Sequence, residues 1–221
     1  MSQTQLVVLG ASGNALDALD ALQAEHEVVG FFDDDETRQG QSIEGIPILS
    51  RTALTKFPQA QAVALIGSEK SFAKRQQIID GFGIATGRFS TILHPRAYVS
   101  RQAVLGNGVV VLPGVVIPSN ASIGNHVLIL PNTVIHHDSV VEDYSIIGAG
   151  VIIAGHVHIG ASCYVGSGST IKNNVTIGPR SLVGMGANVT KSFGNEMVLV
   201  GNPAREMKRG EEKVEPPPPP V

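Results

Sequence analysis

The chain of 221 residues carries Lys+Arg 16 against Asp+Glu 19, a formal net charge of −3, so no basic excess points to a nucleic acid or an anionic membrane. It is 43% hydrophobic but only 5% aromatic and 16% charged, with Gly 25 and Pro 13, which suits an aliphatic, turn-rich protein. A single cysteine excludes an internal disulfide framework and a cysteine-cluster zinc site, and no apolar run reaches the roughly 18–20 residues of a membrane helix. No basic flank leads an apolar stretch at the N-terminus, so a cytoplasmic protein without a signal peptide is expected.

Residues 1–90 read as alternating strands and helices. An apolar run over 5–9 predicts a strand, followed by the turn Gly10-Ala11-Ser12-Gly13-Asn14 and a helix over 15–22 with Leu16, Leu19 and Leu22 on its apolar face. A second strand over 28–32 ends in Asp33-Asp34-Asp35, and a third over 62–66 ends at Gly67 before a helix around 72–82. This alternation implies a small parallel sheet of Rossmann type. Its glycine turn can offer backbone N–H groups to phosphate, and Asp33 and Asp34 are placed to meet ribose hydroxyls. The full G-x-G-x-x-G is absent and the unit is half the size of a dinucleotide domain, so a mononucleotide or nucleotide-sugar fits better than a dinucleotide. An ordinary strand–turn–helix remains the alternative for this motif.

From Leu93 to Val189 every sixth residue is aliphatic without a gap. Two positions before most of these stand smaller residues, among them Ala121, Thr133, Ser139, Ser145, Cys163, Ser169 and Ser181. Neither helix nor amphipathic strand has a period of six. Short strands joined by corners do, and three such hexads close one coil of a triangular parallel β-helix of 18 residues. Residues 18 apart then stack at the strand spacing of about 4.8 Å. In that frame Cys163 is a small packing residue, not a nucleophile. The tail, residues 208–221, ends in Pro216–Pro220 followed by Val221 and cannot pack a core.

Four of the seven histidines fall in the β-helix span 136–158. Ile135 points inward and His136 outward, and His137 opens a corner beside Asp138. One coil on, Gly155 stands at the register of His137, and His156 at that of Asp138. A histidine beside a carboxylate and next to a glycine N–H supplies a general base and an oxyanion donor, two parts that acyl transfer needs. His136 and His158 are out of vertical register, so they do not read as a metal pair, and no metal is expected.

The motifs Leu9-Gly10-Ala11-Ser12-Gly13, Phe32-Asp33-Asp34, Leu93-His94-Pro95, Val134-Ile135-His136-His137-Asp138, Ala154-Gly155 and Gly201-Asn202-Pro203-Ala204 give the chain its resemblance to a known group. Over residues 5–207 it resembles the bacterial nucleotide-sugar acetyltransferases of the PglD/NeuD type, hexapeptide-repeat acyltransferases with a left-handed β-helix. The resemblance implies a Rossmann-like nucleotide-sugar-binding domain at 1–90 and a left-handed β-helix binding acetyl-CoA and carrying catalysis at 91–207; the proline-rich composition of 208–221 implies a flexible tail. It implies a homotrimer with active sites between subunits and no nucleic-acid or membrane partner. The co-substrate would be acetyl-CoA and the acceptor the amine, at C4, of a nucleotide-linked amino-dideoxy sugar used in surface glycan or glycoprotein synthesis. His137 would be the base, Asp138 its support and Gly155 the oxyanion contact. From the residues themselves, the corner of Gly184 and Gly186 permits close approach of the coenzyme, and Arg205, Lys208 and Arg209 are candidates for its 3′-phosphate, with solvated charges as the alternative. Gly10, Ser12, Gly13, Asn14, Asp33, Asp34 and Gly67 would hold the nucleotide-sugar. Asn14 and Ile146 stand where members of the group often have histidines. A sialic-acid-type O-acetyltransferase and a non-catalytic β-helix scaffold are the alternatives.

Overall fold

The computed structural model describes residues 3–207. Apolar, β-branched runs form β1 (Thr4–Leu9) and β2 (His26–Phe32), with α1 (Gly13–Asp17) and α2 (Leu19–Glu25) between them. They are followed by β3 (Ser42–Ile43), β4 (Ile46–Leu49), β5 (Gln61–Ala64) and α3 (Arg75–Asp80). The sheet order is β3-β4-β2-β1-β5, parallel except for the β3–β4 hairpin. The sequence reading missed this hairpin. Its two turn residues, Glu44 and Gly45, both have positive φ (48° and 78°), the geometry a two-residue hairpin needs. The expected helix over 15–22 is instead two short ones that break at Ala18, and Leu16 is 52% exposed while Leu19 and Leu22 are buried. The expected helix around 72–82 is a 3₁₀ turn, Phe72–Lys74, leading into the six residues of α3.

From Ile92–Leu93 to Asn188–Val189 the chain forms two-residue strands joined by corners. They stack into three parallel sheets with an 18-residue register, as in Val116↔Val134 and Val140↔His158. We call the faces by their outward residues. Face 1 carries Tyr98, Val116, Val134, Ile152, Thr170 and Asn188; face 2 carries Val104, Ser122, Val140, His158 and Thr176; face 3 carries Ile92, Val110, Leu128, Ile146, Tyr164 and Leu182. The inward aliphatics from Val111 to Val189 fill one continuous core, each contributing about 1.5–3 kcal/mol on burial. Leu199 and Ala204 close that core at the C-terminal end.

The smaller residues do more than make room. Buried Thr133, Ser139, Ser145, Cys163 and Ser169 donate to corner carbonyls 15 residues on, at 2.7, 2.9, 2.9, 3.3 and 2.9 Å. The Thr133, Ser139 and Ser145 hydroxyls also accept backbone N–H groups one coil away. A narrow prism has no water to serve its corner carbonyls, so short hydroxyls satisfy them. Cys163 is wholly buried and its thiol is pushed up to about 11 by burial, consistent with packing.

Face 3 is covered by the N-terminal domain, whose α1 and α2 lie against it. Val110, Leu112, Leu128 and Ile146 pack with Ala15, Ala18 and Leu22, which explains why the outward Val110, Leu128 and Ile146 are as buried as the inward residues. Arg75 is the polar anchor of this seam. It is fully buried and donates to the carbonyls of Ile66 (2.7 Å), Ala64 (3.3 Å) and His126. Among the described residues, no helix is long and apolar enough to cross a membrane.

Candidate active site

Each corner of the β-helix turns through one residue of positive φ, and these recur every six residues from Gly108 to Gly186. Three corner columns result. One runs Asn120, Asp138, His156, Asn174, between faces 1 and 2. Asn and Asp tolerate this conformation better than most residues with a Cβ, which favours a short polar side chain there.

In that column the Asp138 carboxylate takes His137 Nδ1 at 2.7 Å through Oδ2, and its Oδ1 accepts from Asn120 Nδ2 at 3.2 Å. The hydrogen bond from His137, then that from Asn120, holds the Asp138 carboxyl below the ordinary carboxylate range. With Nδ1 committed to Asp138, the network assigns the Nδ1–H tautomer and leaves the Nε2 lone pair of the half-exposed His137 ring free. A Cβ on Gly155 would lie 2.9 Å from both Cε1 and Nε2 of that ring, so only glycine leaves the imidazole its seat. The Gly155 N–H donates to no acceptor among the described residues. His156 completes the group: its ring meets that of His137 edge-on at 5.2 Å, and its Nε2 is 3.9 Å from Asp138 Oδ2.

The N-terminal candidates gather around two adjoining cavities. Gly10, Ser12, Asp33, Asp34 and Gly67 line one of about 300 Å³, floored by Ile78 and Phe82. Ser12, Gly13, Asn14 and Gly67 line the other, of about 360 Å³, which reaches Leu130, Ile146 and Tyr164 on the β-helix. Ser12 Oγ donates to Leu65 O and Asn14 Nδ2 to Gly67 O, tying the turn to the end of β5. Asp33 is used internally: Oδ2 accepts from the Ala11 N–H at 2.9 Å and Oδ1 from the Asp35 N–H at 3.0 Å. Asp34 pairs with Arg51 at 2.5 Å, and that guanidinium lies 4.0 Å over the Phe82 ring. Sequence reading missed Arg51 and Phe82; a lone arginine after a strand looks like a solvated charge.

The third group is less uniform. Gly186 stands open at φ +67°, at the corner that enters face 1. Gly184 offers no free amide, because its N–H is bound to Leu199 O at 2.7 Å and Val200 covers it. Arg205 is exposed and donates to Ala204 O, while Lys208 and Arg209 lie outside the described residues. His94 is buried and accepts from the Arg96 N–H, a structural role.

The His137 corner lies opposite face 3, the face that carries the N-terminal domain. Within one chain the turn cavities and the His137 corner are therefore on opposite sides of the prism.

Residues 120–155 and 156–191 match the model of the bacterial transferase hexapeptide family (six repeats). Among solved structures, the chain is similar to a point mutant of perosamine N-acetyltransferase from Caulobacter crescentus in complex with CoA and GDP-perosamine. The identity is 25%, the TM-score 0.82, and the match covers 92% of this chain and 97% of the other. It is also similar to WeeI from Acinetobacter baumannii, at 26% identity and TM-score 0.78, over 92% of this chain and 100% of the other. In fold it matches the acetyltransferase domain of PglB from Neisseria gonorrhoeae in complex with acetyl coenzyme A, at 24% identity and TM-score 0.80, over 93% and 100% of the two chains. A search of curated protein sequences gives no match. Residues 120–191 thus match hexapeptide-transferase repeats, and the similarity to a sugar N-acetyltransferase extends over 92% of the chain.

Proposed function

We propose that this protein is an N-acetyltransferase that moves acetyl from acetyl-CoA to the amine of a nucleotide-linked amino sugar. The observation that carries the reading is His137 seated over Gly155 with Asp138 on its Nδ1. The likeness to a sugar N-acetyltransferase solved with CoA and GDP-perosamine supports the donor and the acceptor class. In this reading residues 1–90 form a Rossmann-like domain for the nucleotide-sugar and 91–207 a left-handed β-helix for acetyl-CoA, in a cytoplasmic enzyme.

The acceptor amine attacks the thioester carbonyl while His137 Nε2 takes its proton. Asp138 holds the ring and stabilises its charged form. The tetrahedral oxyanion is met by the Gly155 N–H, which is free to donate. Collapse breaks the C–S bond, and the proton passes to the coenzyme sulfur. No covalent enzyme intermediate is needed, since Cys163 is buried. Because the nucleotide cavities and His137 lie on opposite sides of one prism, a neighbouring chain has to bring the sugar to the base. That requirement, and the exposed apolar Tyr98 (61%), Val104 (65%) and Ile152 (38%) on faces 1 and 2, support a homotrimer with shared sites.

The test is thiol release from acetyl-CoA with UDP-, GDP- and dTDP-linked 4-amino sugars, alongside free sialic acid. Turnover with one nucleotide-amino-sugar is expected. Turnover with sialic acid alone would establish O-acetylation instead, and no release with any acceptor would favour a scaffold.

A further inference from the structure

The corner that seats His137 holds three donors of different kinds. One nitrogen of His137, one nitrogen of His156 and a carboxylate oxygen of Asp138 all lie within 4.8 Å of one another. The three come from two stacked coils whose backbones are joined by the His156 N–H donating to His137 O at 3.2 Å. Asp138 and His156 both occupy left-handed corner positions, with φ of 57° and 58°, so their Cα–Cβ bonds leave the prism in the same way. Asn120 Nδ2 holds the far carboxylate oxygen from the coil above, the kind of outer support that orients a metal-binding carboxylate.

Zinc sits about 2.0–2.2 Å from imidazole nitrogen and carboxylate oxygen, so ligands at a tetrahedral ion stand roughly 3.3 Å apart. Here the carboxylate oxygen is 2.7 Å from His137 Nδ1 and 3.9 Å from His156 Nε2. Opening the first and closing the second needs side-chain rotation only, and all three residues are exposed. Two imidazoles and one carboxylate select zinc, cobalt, nickel or copper over magnesium or calcium. Three protein ligands leave a position for water, the open arrangement.

We infer that His137, Asp138 and His156 form a transition-metal site whose occupation opposes the proposed reaction. A bound ion takes the lone pair or the Asp138 contact on which His137 depends as a base. The inhibitory part rests on the proposed function; the binding part does not.

Full-length protein is titrated with Zn²⁺ by calorimetry and with Co²⁺ by visible absorption, in a non-chelating buffer. The wild type should bind one ion per chain and give the intense absorption of tetrahedral cobalt. His156→Asn should weaken binding at least about tenfold, about 1.4 kcal/mol. His136→Asn should leave the affinity unchanged. Zn²⁺ should inhibit the wild type in proportion to occupancy, and Mg²⁺ should not. No stoichiometric cobalt signal, or equal affinity in His156→Asn, overturns the site. Full occupancy with undiminished turnover overturns the inhibition. Absence of turnover in the metal-free enzyme counts against acetyl transfer alone, and the cobalt titration still decides the site.

Discussion

Asp138 and Tyr144 occupy equivalent corners of the β-helix, one face apart, with φ of 57° and 61°. The column of Asp138 faces outward and holds His137 and His156 half exposed. The column of Tyr144 is covered in its upper part by α3 and the segment at Phe89. There His126 is buried, stacked on Tyr144 at 5.0 Å and edge-on to Phe89 at 4.5 Å, while the Tyr144 hydroxyl donates to Asp80 at 3.2 Å. Burial, then the nearby Arg75 charge, pushes His126 down to about 4, so near neutral pH it is a packing residue. Two imidazoles in one repeat thus differ because one corner is covered and the other is open. A second contrast lies within the open region. His158 holds Glu142 at 2.7 Å, the same separation as His137 and Asp138, but it sits on a strand face and its partner also caps the Ala161 N–H. A histidine–carboxylate pair is common surface chemistry; the glycine seat distinguishes His137.

The sharpest way to break this contrast is to fill the seat. Gly155→Val places carbon atoms where the His137 ring lies, and should cut acetyl transfer by about 10²-fold or more through displacement of the base. Normal kcat in a folded variant would detach the glycine from the chemistry. Next in size is the seam that covers the other column. Arg75→Met keeps bulk but strips the donors from three carbonyls, and should cost about 2–3 kcal/mol in denaturant unfolding. A loss below about 0.5 kcal/mol would mean the seam does not depend on that guanidinium.

The smallest effect is a pH slope. His126 has a folded value near 4, against 6.5 for the ordinary group. Between these values the unfolded chain binds a proton that the native chain does not, so stability falls as pH drops through that window and levels off below it. His126→Asn should flatten the fall in melting temperature between pH 6.5 and 4. Identical slopes in the two proteins would place the covered corner in water.

The β-helix was legible because every hexad repeats the same requirement, and the 18-residue coil already set Gly155 against His137 and His156 against Asp138. The hydroxyl ladder of Thr133, Ser139 and Ser145 was visible as a run of small residues, but its reason needed the third dimension, where water is excluded from the corners. Contacts between the two halves were not legible. Nothing local marks Val110, Leu128 and Ile146 as covered, or Arg75 as buried, since the partners that hide them lie far away in the chain. The place of Phe82 in the cavity wall, and of Arg51 on Phe82 and Asp34, was missed for the same reason.

The most direct measurement compares thiol release from His137→Ala and His158→Ala at saturating acetyl-CoA and acceptor. The open, glycine-seated corner predicts a loss of about 10²–10⁴-fold for His137→Ala and a change within about twofold for His158→Ala. Equal losses in both, or full turnover in His137→Ala, would contradict it.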